Sequence, residues 1–349
     1  MYLPIIKEKG EILKFYDTPF YVYLNLSNIC NANCVFCEVK TNKEKKCAIN
    51  VKNVIDELAD LGTKYIHFTG GGEPFINNDI FEYLDYCTQK NIKIVLISNG
   101  LNLNEEKIRE MSNYNIVAFF FSIDSSKADV HDKLRGVNGL FKKATENINL
   151  IKKYIPNVKV ILNHVLNREN IDGFASFIKL KKKVNFDYIN PIVIKDYPPL
   201  FFTKEQMKKY TDNLNDYYEL AKEFNIKFLC EDINFFSNDN VSDNGDRANN
   251  LDLRCVYPSY CAFIDAPSKK VYPCDCSIHR DRNLYCLGDL EVQTFKEIWD
   301  GKRRKELKEL LLNSKLDCKK KCDECNCMFN NFYFKKKEIT LDEKNTSVS

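Results

Sequence analysis

This sequence of 349 residues has no large excess of positive or negative charge, and it has no long apolar runs. Its 52 basic residues are nearly balanced by 49 acidic ones, which leaves a net charge of +3. Proteins that bind nucleic acid usually concentrate basic residues on one face, so we expect no nucleic-acid partner. The basic runs at residues 179–183 and 301–305 are interpreted as solvent-exposed helix faces.

No stretch approaches the roughly 20 apolar residues that a membrane span requires. Residues 1–17 carry scattered charges and no apolar core, so we predict neither a signal peptide nor a membrane segment. Fifteen cysteines in a chain of this kind are predicted to be metal ligands in a reducing cytoplasm rather than disulfides. The length is enough for one large domain and a smaller one.

Three cysteines form the most specific motif. Cys30, Cys34 and Cys37 follow a strand-like run at residues 20–26 with the spacing C-x3-C-x2-C. Four cysteines would close a zinc site or ligate every iron of a 4Fe–4S cube, whereas three leave one metal position open. The spacing therefore predicts a catalytic metal site. The alternatives are a zinc ion with a water ligand, and cysteines that are neighbours without binding metal.

Strand-like and helix-like segments alternate through the first two-thirds of the chain. This alternation predicts parallel strands joined by crossover helices, in an α/β sheet or barrel. The predicted strands are residues 20–26, 64–69, 93–98, 116–123, 158–165, 188–194 and 226–229, and the predicted helices are residues 50–61, 79–90, 104–112, 140–155, 170–183 and 203–224.

Polar motifs stand at the ends of five successive predicted strands. In parallel barrels these ends converge on one face, where active sites lie. Each motif alone is ordinary turn chemistry, but together they predict one site. After the cysteine loop they are Gly-Gly-Gly-Glu-Pro at 70–74, Ser-Asn-Gly at 98–100, Ser-Ile-Asp at 122–124 and Asn-His at 163–164.

These motifs resemble those of the radical S-adenosylmethionine (SAM) enzymes, over roughly residues 20–329. The resemblance implies a partial (β/α)6 TIM-like barrel in which the three cysteines hold a 4Fe–4S cluster and SAM chelates the fourth iron. It implies that SAM is cleaved reductively and that the resulting 5′-deoxyadenosyl radical abstracts hydrogen from a substrate. It also implies an electron donor such as flavodoxin or ferredoxin.

The same resemblance implies a set of SAM-binding residues. They are Phe36 before the third cysteine, Gly71, Gly72 and Glu73 at the SAM amino group, Asn99 and Ser122 at its ribose or carboxylate, and Arg135 at its carboxylate.

Several polar side chains near this site have structural alternatives. Arg135 is either a carboxylate ligand or an exposed helix charge, and Asp124 either touches the ribose or caps the following segment. His131 is expected at the surface. His164 is expected to be a hydrogen-bonded barrel residue rather than a catalyst.

The composition changes after residue 231. Residues 232–250 are rich in Asn and Asp and poor in apolar residues, which predicts a linker or mobile loop. The predicted organisation is an arm (1–19), a barrel (20–231), this linker, a cysteine-rich domain (251–334) and a disordered tail (335–349).

Nine cysteines lie between residues 255 and 327, in an order that resembles the C-terminal extensions called SPASM and twitch. Those extensions hold two or one auxiliary 4Fe–4S clusters. This sequence departs from the pattern twice: Lys269 occupies a usual glycine position, and no cysteine follows Cys327. The resemblance implies at least one auxiliary cluster and leaves a second one open; a structural zinc ribbon is the alternative. The implied ligands are Cys255, Cys274, Cys322 and Cys325, with Cys261 as a rival.

The sequence leaves the substrate open. The leading interpretation is the oxidation of a peptide, a protein or a small metabolite, with an auxiliary cluster accepting the second electron. Asp275, directly after Cys274, matches a catalytic base of sulfatase-maturing relatives, although Asp is also a common turn residue. One alternative is a ribosomal-peptide maturase that forms a crosslink, against which only 29 residues precede Cys30. Another is an iron–sulfur or zinc scaffold, or an electron carrier, without SAM chemistry.

Overall fold

The structure, a computed structural model, describes residues 17–37, 46–194, 197–229, 257–275, 277 and 282–312. The strands are β1 (Tyr21–Asn25), β2 (Tyr65–Thr69), β3 (Lys93–Ser98), β4 (Ile116–Ser122), β5 (Lys159–Leu166), β6 (Tyr188–Val193), β7 (Lys227–Phe228), β8 (Cys261–Asp265), β9 (Lys270–Tyr272) and β10 (Gly288–Asp289). The helices are α1 (Val51–Asp60), α2 (Ile80–Gln89), α3 (Glu105–Met111), α4 (Ala128–Arg135), α5 (Leu140–Tyr154), α6 (Phe174–Ile178), α7 (Lys204–Asp212), α8 (Leu214–Glu223), α9 (Arg282–Tyr285), α10 (Phe295–Asp300) and α11 (Lys302–Leu312).

The described residues fall into two compact units, and the boundary between them passes through β1. The larger unit contains residues 24–37, 46–48, 65–194 and 197–229. In it the strands follow one another in the order β1-β2-β3-β4-β5-β6-β7, and β2 to β7 are parallel. Helices connect the successive strands, so the expected partial barrel is confirmed.

The parallel strands form the core of this unit because they are buried along most of their length. Three consecutive residues of β4, Phe119, Phe120 and Phe121, are completely buried. Such continuous apolar runs are typical of parallel strands that are covered on both faces. The strand ends, where polar residues begin, are therefore the places where this unit can present functional groups.

All seven predicted strands are present within one or two residues of their predicted bounds, and so are the helices α1, α2, α3 and α5. Two predicted helices are wrong as continuous elements. Residues 170–183 form α6 between two short 3-10 turns, and residues 203–224 form α7 and α8, which meet at Asn213. The sequence analysis also missed α4, whose apolar residues are too few to mark an amphipathic face.

The smaller unit contains residues 17–23, 49–64, 257–275, 277 and 282–312. Its strands β8, β9 and β10 are antiparallel neighbours. Helix α10 begins with a capping box, in which Thr294 and Glu297 bond each other's backbone N–H groups. The side chain of Trp299 is buried and donates a 2.8 Å hydrogen bond to the carbonyl of Asp17.

One interpretation of the basic runs is wrong in this unit. Arg304, within the run at 301–305, is buried rather than exposed. Its guanidinium donates hydrogen bonds to the carbonyl of Pro258 (2.8 Å) and to the carboxylate of Asp17 (3.2 Å). The run at 179–183, by contrast, keeps Lys179, Lys182 and Lys183 exposed.

The linker at 232–250 and the tail at 335–349 lie outside the described residues, as does most of the arm at 1–19. Among the helices that the structure does describe, none combines the length and the apolar character needed to cross a membrane.

Candidate functional site

The cysteine loop follows β1 and is held by neighbouring backbone. The N–H of Glu73 donates a 2.9 Å hydrogen bond to the carbonyl of Ile29. A Cβ on Gly72 would lie 2.1 Å from that same oxygen and 2.5 Å from the carbonyl oxygen of Ser27. Position 72 therefore requires glycine because the glycine-rich segment packs directly on the cysteine loop, a reason that the sequence analysis did not foresee.

The other side of the loop is held by the end of α4. The backbone N–H groups of Asn33 and Val35 donate to the carbonyls of Arg135 (3.0 Å) and Leu134 (2.9 Å). The last carbonyls of a helix have no partner within the helix, and here the cysteine loop supplies two. Cys34 lies between the two donors, so α4 fixes the position of this cysteine.

Glu73 is the most constrained acidic residue of the site. Only 3% of it is exposed, and its carboxylate accepts hydrogen bonds from Ser98 Oγ (2.7 Å), from the N–H of Asn99 (2.8 Å) and from the N–H of Phe75 (3.3 Å). Burial raises the pKa of Glu73 to about 7, although the three hydrogen bonds oppose this shift. A carboxylate accepts about four hydrogen bonds, so one acceptor position remains for a ligand.

A chain of hydrogen-bonded side-chain amides begins at Asn99, whose N–H binds the Glu73 carboxylate, and reaches the cysteine loop. Asn99 Nδ2 donates to Asn31 Oδ1 at 2.7 Å and lies 3.9 Å from the Sγ of Cys30. Asn31 in turn donates to Asn102, which donates to the carbonyl of Phe75. Asn99 was predicted as a site residue from the sequence, whereas Asn31 and Asn102 were not. Asn31 lies within the cysteine loop and Asn102 lies three residues after Asn99, and these positions could have indicated both.

Arg135 lies next to Cys34 and is not the exposed helix charge that was the alternative. Its Nε donates a 2.5 Å hydrogen bond to the carboxylate of Asp124, and its Nη1 lies 3.7 Å from the Sγ of Cys34. The guanidinium also lies over the ring of Phe36, with 5.3 Å between the guanidinium carbon and the ring centroid. The structure thus brings Phe36, Cys34 and Arg135 together.

Both interpretations of Asp124 are wrong. This carboxylate is completely buried and is committed to Arg135 and to the backbone N–H of Val165 (2.9 Å), so it neither caps α4 nor faces a ligand. Burial by itself would raise the pKa of Asp124, but the charge of Arg135 and its hydrogen bond outweigh burial and lower the pKa.

The expectation that His131 lies at the surface is also wrong. His131 is completely buried, and its Nδ1 accepts a 3.1 Å hydrogen bond from the N–H of Asp124. His164 is buried as expected, hydrogen-bonds the carbonyl of Ile123 through Nδ1, and stacks on Phe177. Burial lowers the pKa of both histidines to about 4, so both are neutral near pH 7.

Ser122 lies at the end of β4 and is half-buried. It stands opposite Asn163 of β5, and Asn163 stands opposite Asn190 of β6. Asn190 Nδ2 donates a 2.8 Å hydrogen bond to Asn163 Oδ1. The register therefore places three polar residues in one row across β4, β5 and β6. Ser122 and Asn163 belonged to the site motifs predicted from the sequence, whereas Asn190 did not.

The three thiols of the cysteine loop are of a kind that binds either a zinc ion or an iron–sulfur cube. A zinc ion binds its thiolates at about 2.3 Å, whereas each thiolate of a cube binds a different iron. N–H groups also point at two of the sulfurs: Ala32 N lies 3.4 Å from Cys30 Sγ, and Arg135 Nη1 approaches Cys34 Sγ.

Metal binding must also deprotonate these thiols. Burial raises the pKa of Cys30 to about 11, and the neighbouring charges of Glu73, Cys34 and Cys37 raise it further. A cluster that binds the thiolate supplies the positive charge that offsets these effects.

The smaller unit contains the second group of candidate residues. β8 and β9 pair with Phe263 opposite Tyr272 and Ile264 opposite Val271. Continuing this antiparallel register places Cys261 opposite Cys274, just beyond the last paired residues. Cys261 is buried, Cys274 is half-buried, and Asp275 is half-buried beside it. Cys255, Cys322 and Cys325 lie outside the described residues.

Lys269 does not prevent the turn between β8 and β9. It adopts φ +61°, the left-handed conformation that a glycine takes at such a position. Its carbonyl accepts a 2.7 Å hydrogen bond from the N–H of Leu290, and its ammonium pairs with Glu291 at 2.8 Å. The hairpin that carries Cys261 and Cys274 is therefore intact despite the unusual residue.

Two family models match the chain. The model of the Radical SAM superfamily matches residues 24–180, and SPASM, an iron-sulfur cluster-binding domain, matches residues 255–326. The AdoMet-dependent heme synthase of Methanosarcina barkeri is 27% identical over 48% of this chain and 48% of its own length. Mycofactocin maturase MftC of Mycolicibacterium smegmatis is 29% identical over 47% of this chain and 42% of its own length.

The fold is similar to that of SuiB from Streptococcus suis. SuiB bound to S-adenosylmethionine has a TM-score of 0.62 at 16% identity, and the match covers 86% of this chain and 71% of SuiB. SuiB bound to the precursor peptide SuiA has a TM-score of 0.61 at 15% identity, with coverages of 86% and 70%.

The chain spans about half the length of the curated relatives that it matches. The two family models nevertheless cover both cysteine-rich regions, in the order that the sequence predicted. The chain therefore belongs to the radical SAM superfamily and carries a SPASM iron-sulfur cluster-binding domain.

Proposed function

We propose that this protein is an enzyme that cleaves SAM reductively and oxidises a substrate by abstracting hydrogen from it. The cofactors of its two domains are a SAM-binding 4Fe–4S cluster, auxiliary 4Fe–4S clusters and SAM. When bound at Cys30, Cys34 and Cys37, the reduced cluster would supply the electron for SAM cleavage, and SAM would supply the radical that takes the hydrogen atom. The observation that carries the proposal is the juxtaposition of the thiol loop after β1, a buried carboxylate after β2 and an arginine at the end of α4.

Cys30, Cys34 and Cys37 hold the first cluster and leave its fourth iron to SAM. Glu73 offers its remaining acceptor position to the SAM amino group, beside the backbone of Gly71 and Gly72. This carboxylate is preorganised because three donors of the chain already fix it.

The remaining SAM contacts come from four side chains. Arg135 commits Nε to Asp124 and Nη1 to Cys34, so its other terminal nitrogen is the one that pairs with the SAM carboxylate. Asn99 and Ser122, at the ends of β3 and β4, bind the ribose or the carboxylate. Phe36 covers the site next to Cys34.

An auxiliary cluster binds at the β8–β9 hairpin. Continuing the β8–β9 register puts Cys261 opposite Cys274 at the open end of that hairpin, which supports both as ligands. Cys255, Cys322 and Cys325 are the candidates for the rest. When bound, this cluster would supply an acceptor for the second electron of the oxidation. Asp275, adjacent to Cys274, is the base that takes the proton of the substrate.

The substrate class is a peptide, a protein or a small metabolite. The likeness to SuiB in its complex with a precursor peptide supports testing peptides first, and the same likeness supports the second candidate function, a peptide maturase that forms a crosslink. The cluster's electron comes from a donor such as flavodoxin or ferredoxin. An electron carrier without SAM chemistry has no use for the Glu73 carboxylate and its three donors.

Metal content tests the cluster assignment. Protein reconstituted without oxygen should hold about eight iron atoms per chain with one auxiliary cluster, or about twelve with two. The triple variant Cys30→Ala, Cys34→Ala, Cys37→Ala should lose about four in either case. A variant at Cys87, which is buried in α2, is the matched control and should lose none. Equal iron in the triple variant and the wild type, or zinc in place of iron, contradicts the proposal.

A further inference from the structure

A cluster of buried polar side chains lies next to Cys34. Its centre is the ion pair of Asp124 and Arg135, whose side chains are 0% and 10% exposed. Removing charges from water is costly unless every partner is in place. A fully buried carboxylate that touches no ligand therefore needs a structural or functional reason.

Asp124 is held rigidly. One carboxylate oxygen accepts from Val165 N and the other accepts from Arg135 Nε. Its own backbone N–H donates to His131, and its carbonyl accepts a 2.7 Å hydrogen bond from Asn170 Nδ2. With the neighbouring histidines neutral, Arg135 is the only cation that faces this carboxylate among the residues that the structure describes.

The planar guanidinium group of Arg135 makes two polar contacts at once. Nε is bound by Asp124 while Nη1 reaches Cys34 Sγ at 3.7 Å, and the plane lies over Phe36. A lysine ammonium is a point charge and cannot reproduce this double contact in one geometry.

The position of Cys34 makes such a cation necessary. The N–H groups of Asn33 and Val35, on either side of Cys34, bind the last carbonyls of α4, so Cys34 lies at the negative end of a helix dipole. A thiolate, and even more a reduced cluster, is disfavoured there. The guanidinium at the end of the same helix offsets that field.

We infer that Asp124 is a positioning residue, which holds Arg135 so that its guanidinium donates to the Cys34 thiolate and raises the reduction potential of the bound cluster. The inference rests on the proposed function, because it requires a cluster on Cys30, Cys34 and Cys37. Reduction adds negative charge, and hydrogen bonds and positive charge near the ligand sulfurs favour the reduced state.

The test is a redox titration of the reconstituted full chain, followed by electron paramagnetic resonance and carried out without SAM. The signal of this cluster is the one that the triple cysteine variant lacks. Arg135→Gln should lower its midpoint potential. Arg135→Lys, which keeps the buried charge paired, should also lower it, by less. Lys133→Gln, an exposed change on the same helix, should leave it unaltered.

Asp124→Asn keeps the shape of the side chain and separates positioning from charge. In the Asp124→Asn background the guanidinium is no longer held at Cys34. Arg135→Gln should therefore shift the midpoint potential by less than half of the amount by which it shifts it in the wild type. Equal shifts in both backgrounds overturn the positioning role of Asp124. An unaltered potential in both Arg135 variants, with only SAM affinity reduced, overturns the contact with Cys34 and leaves Arg135 as a SAM ligand alone.

Failure of the proposed function gives a different result. In that case the triple cysteine variant keeps every signal of the wild type, whatever the Arg135 variants do.

Discussion

The carboxylate of Glu73 accepts a 2.7 Å hydrogen bond from the hydroxyl of Ser98 and a 2.8 Å hydrogen bond from the N–H of Asn99. These contacts tie the segment after β2 to the end of β3, and they hold an acidic group in a buried position. Burial raises the pKa of Glu73 to about 7, so its charge changes near neutral pH while the protein has no ligand.

We predict that SAM affinity depends on this ionisation. Below a pH of about 7 the carboxyl group is protonated and is a poorer acceptor for the SAM amino group, so SAM binding should weaken as the pH falls. Glu73→Gln should weaken binding about tenfold or more and flatten the profile, since a hydrogen bond to a charged group contributes about 1.5–3 kcal/mol. Calorimetric titration of the reconstituted protein with SAM at several pH values measures both effects.

Ser98→Ala is the matched control for this pH dependence. It keeps the carboxylate but removes a hydrogen bond that lowers the pKa of Glu73. The midpoint of the SAM-binding profile should therefore move to higher pH. A profile with the same midpoint in the wild type and in Glu73→Gln contradicts the role given to Glu73.

Gly72→Ala should disrupt the cysteine loop. The added methyl group would meet two backbone carbonyl oxygens at 2.1 and 2.5 Å, and backbone cannot move aside as a side chain end can. Overpacking of this kind costs about 1–3 kcal/mol, and the displaced loop should bind less iron. Gly173→Ala, where an added Cβ meets no atom within 4 Å, is the control. Full iron content in Gly72→Ala would show that the loop tolerates the shift.

Lys269→Gly should maintain or raise stability. Lys269 occupies the left-handed region at φ +61°, which costs a residue with a Cβ roughly 1–2 kcal/mol. Glycine removes this strain but adds freedom to the unfolded chain and loses the exposed pair with Glu291, so the net gain should be at most about 1 kcal/mol. Lys269→Val should destabilise the hairpin. The thermal unfolding of the two variants is compared with that of the wild type. A clear loss of stability in Lys269→Gly would contradict this prediction.

Asp275→Asn tests the proposed base. The variant should keep its clusters and still form 5′-deoxyadenosine with substrate present, but most of the oxidised product should be lost because no group accepts the proton. Asp289→Asn, on β10 of the same unit and paired with Lys270, is a suitable control. Wild-type turnover in Asp275→Asn would mean that Asp275 is a turn residue.

The strands of the barrel were predictable because their signal is local. Each is a short run of β-branched and aromatic residues, and a polar motif follows its end, so the position of Glu73 and Asn99 near the cysteine loop followed from the topology of parallel strands. Phe36 and Arg135 were each named only through the family resemblance, since α4 itself was missed. Their contact with each other, and that of Arg135 with Cys34, was not predicted.

The errors share a physical cause. His131 and Arg304 looked like surface residues because their own neighbours in sequence are charged, and their burial depends on partners far along the chain: His131 packs against Phe141, and Arg304 binds Asp17. Asp124 was expected to touch the ribose or to cap the following segment, whereas its partners are Arg135 and Val165. A partner of this kind becomes visible only when the chain is folded.

The central claim is that Cys30, Cys34 and Cys37 hold a cluster that cleaves SAM, and the most direct test is the formation of 5′-deoxyadenosine. Protein reconstituted without oxygen and reduced with dithionite should convert SAM to 5′-deoxyadenosine and methionine, measured by liquid chromatography. The triple variant Cys30→Ala, Cys34→Ala, Cys37→Ala should form none while it keeps its auxiliary iron. Formation of 5′-deoxyadenosine by this variant at the rate of the wild type would contradict the account.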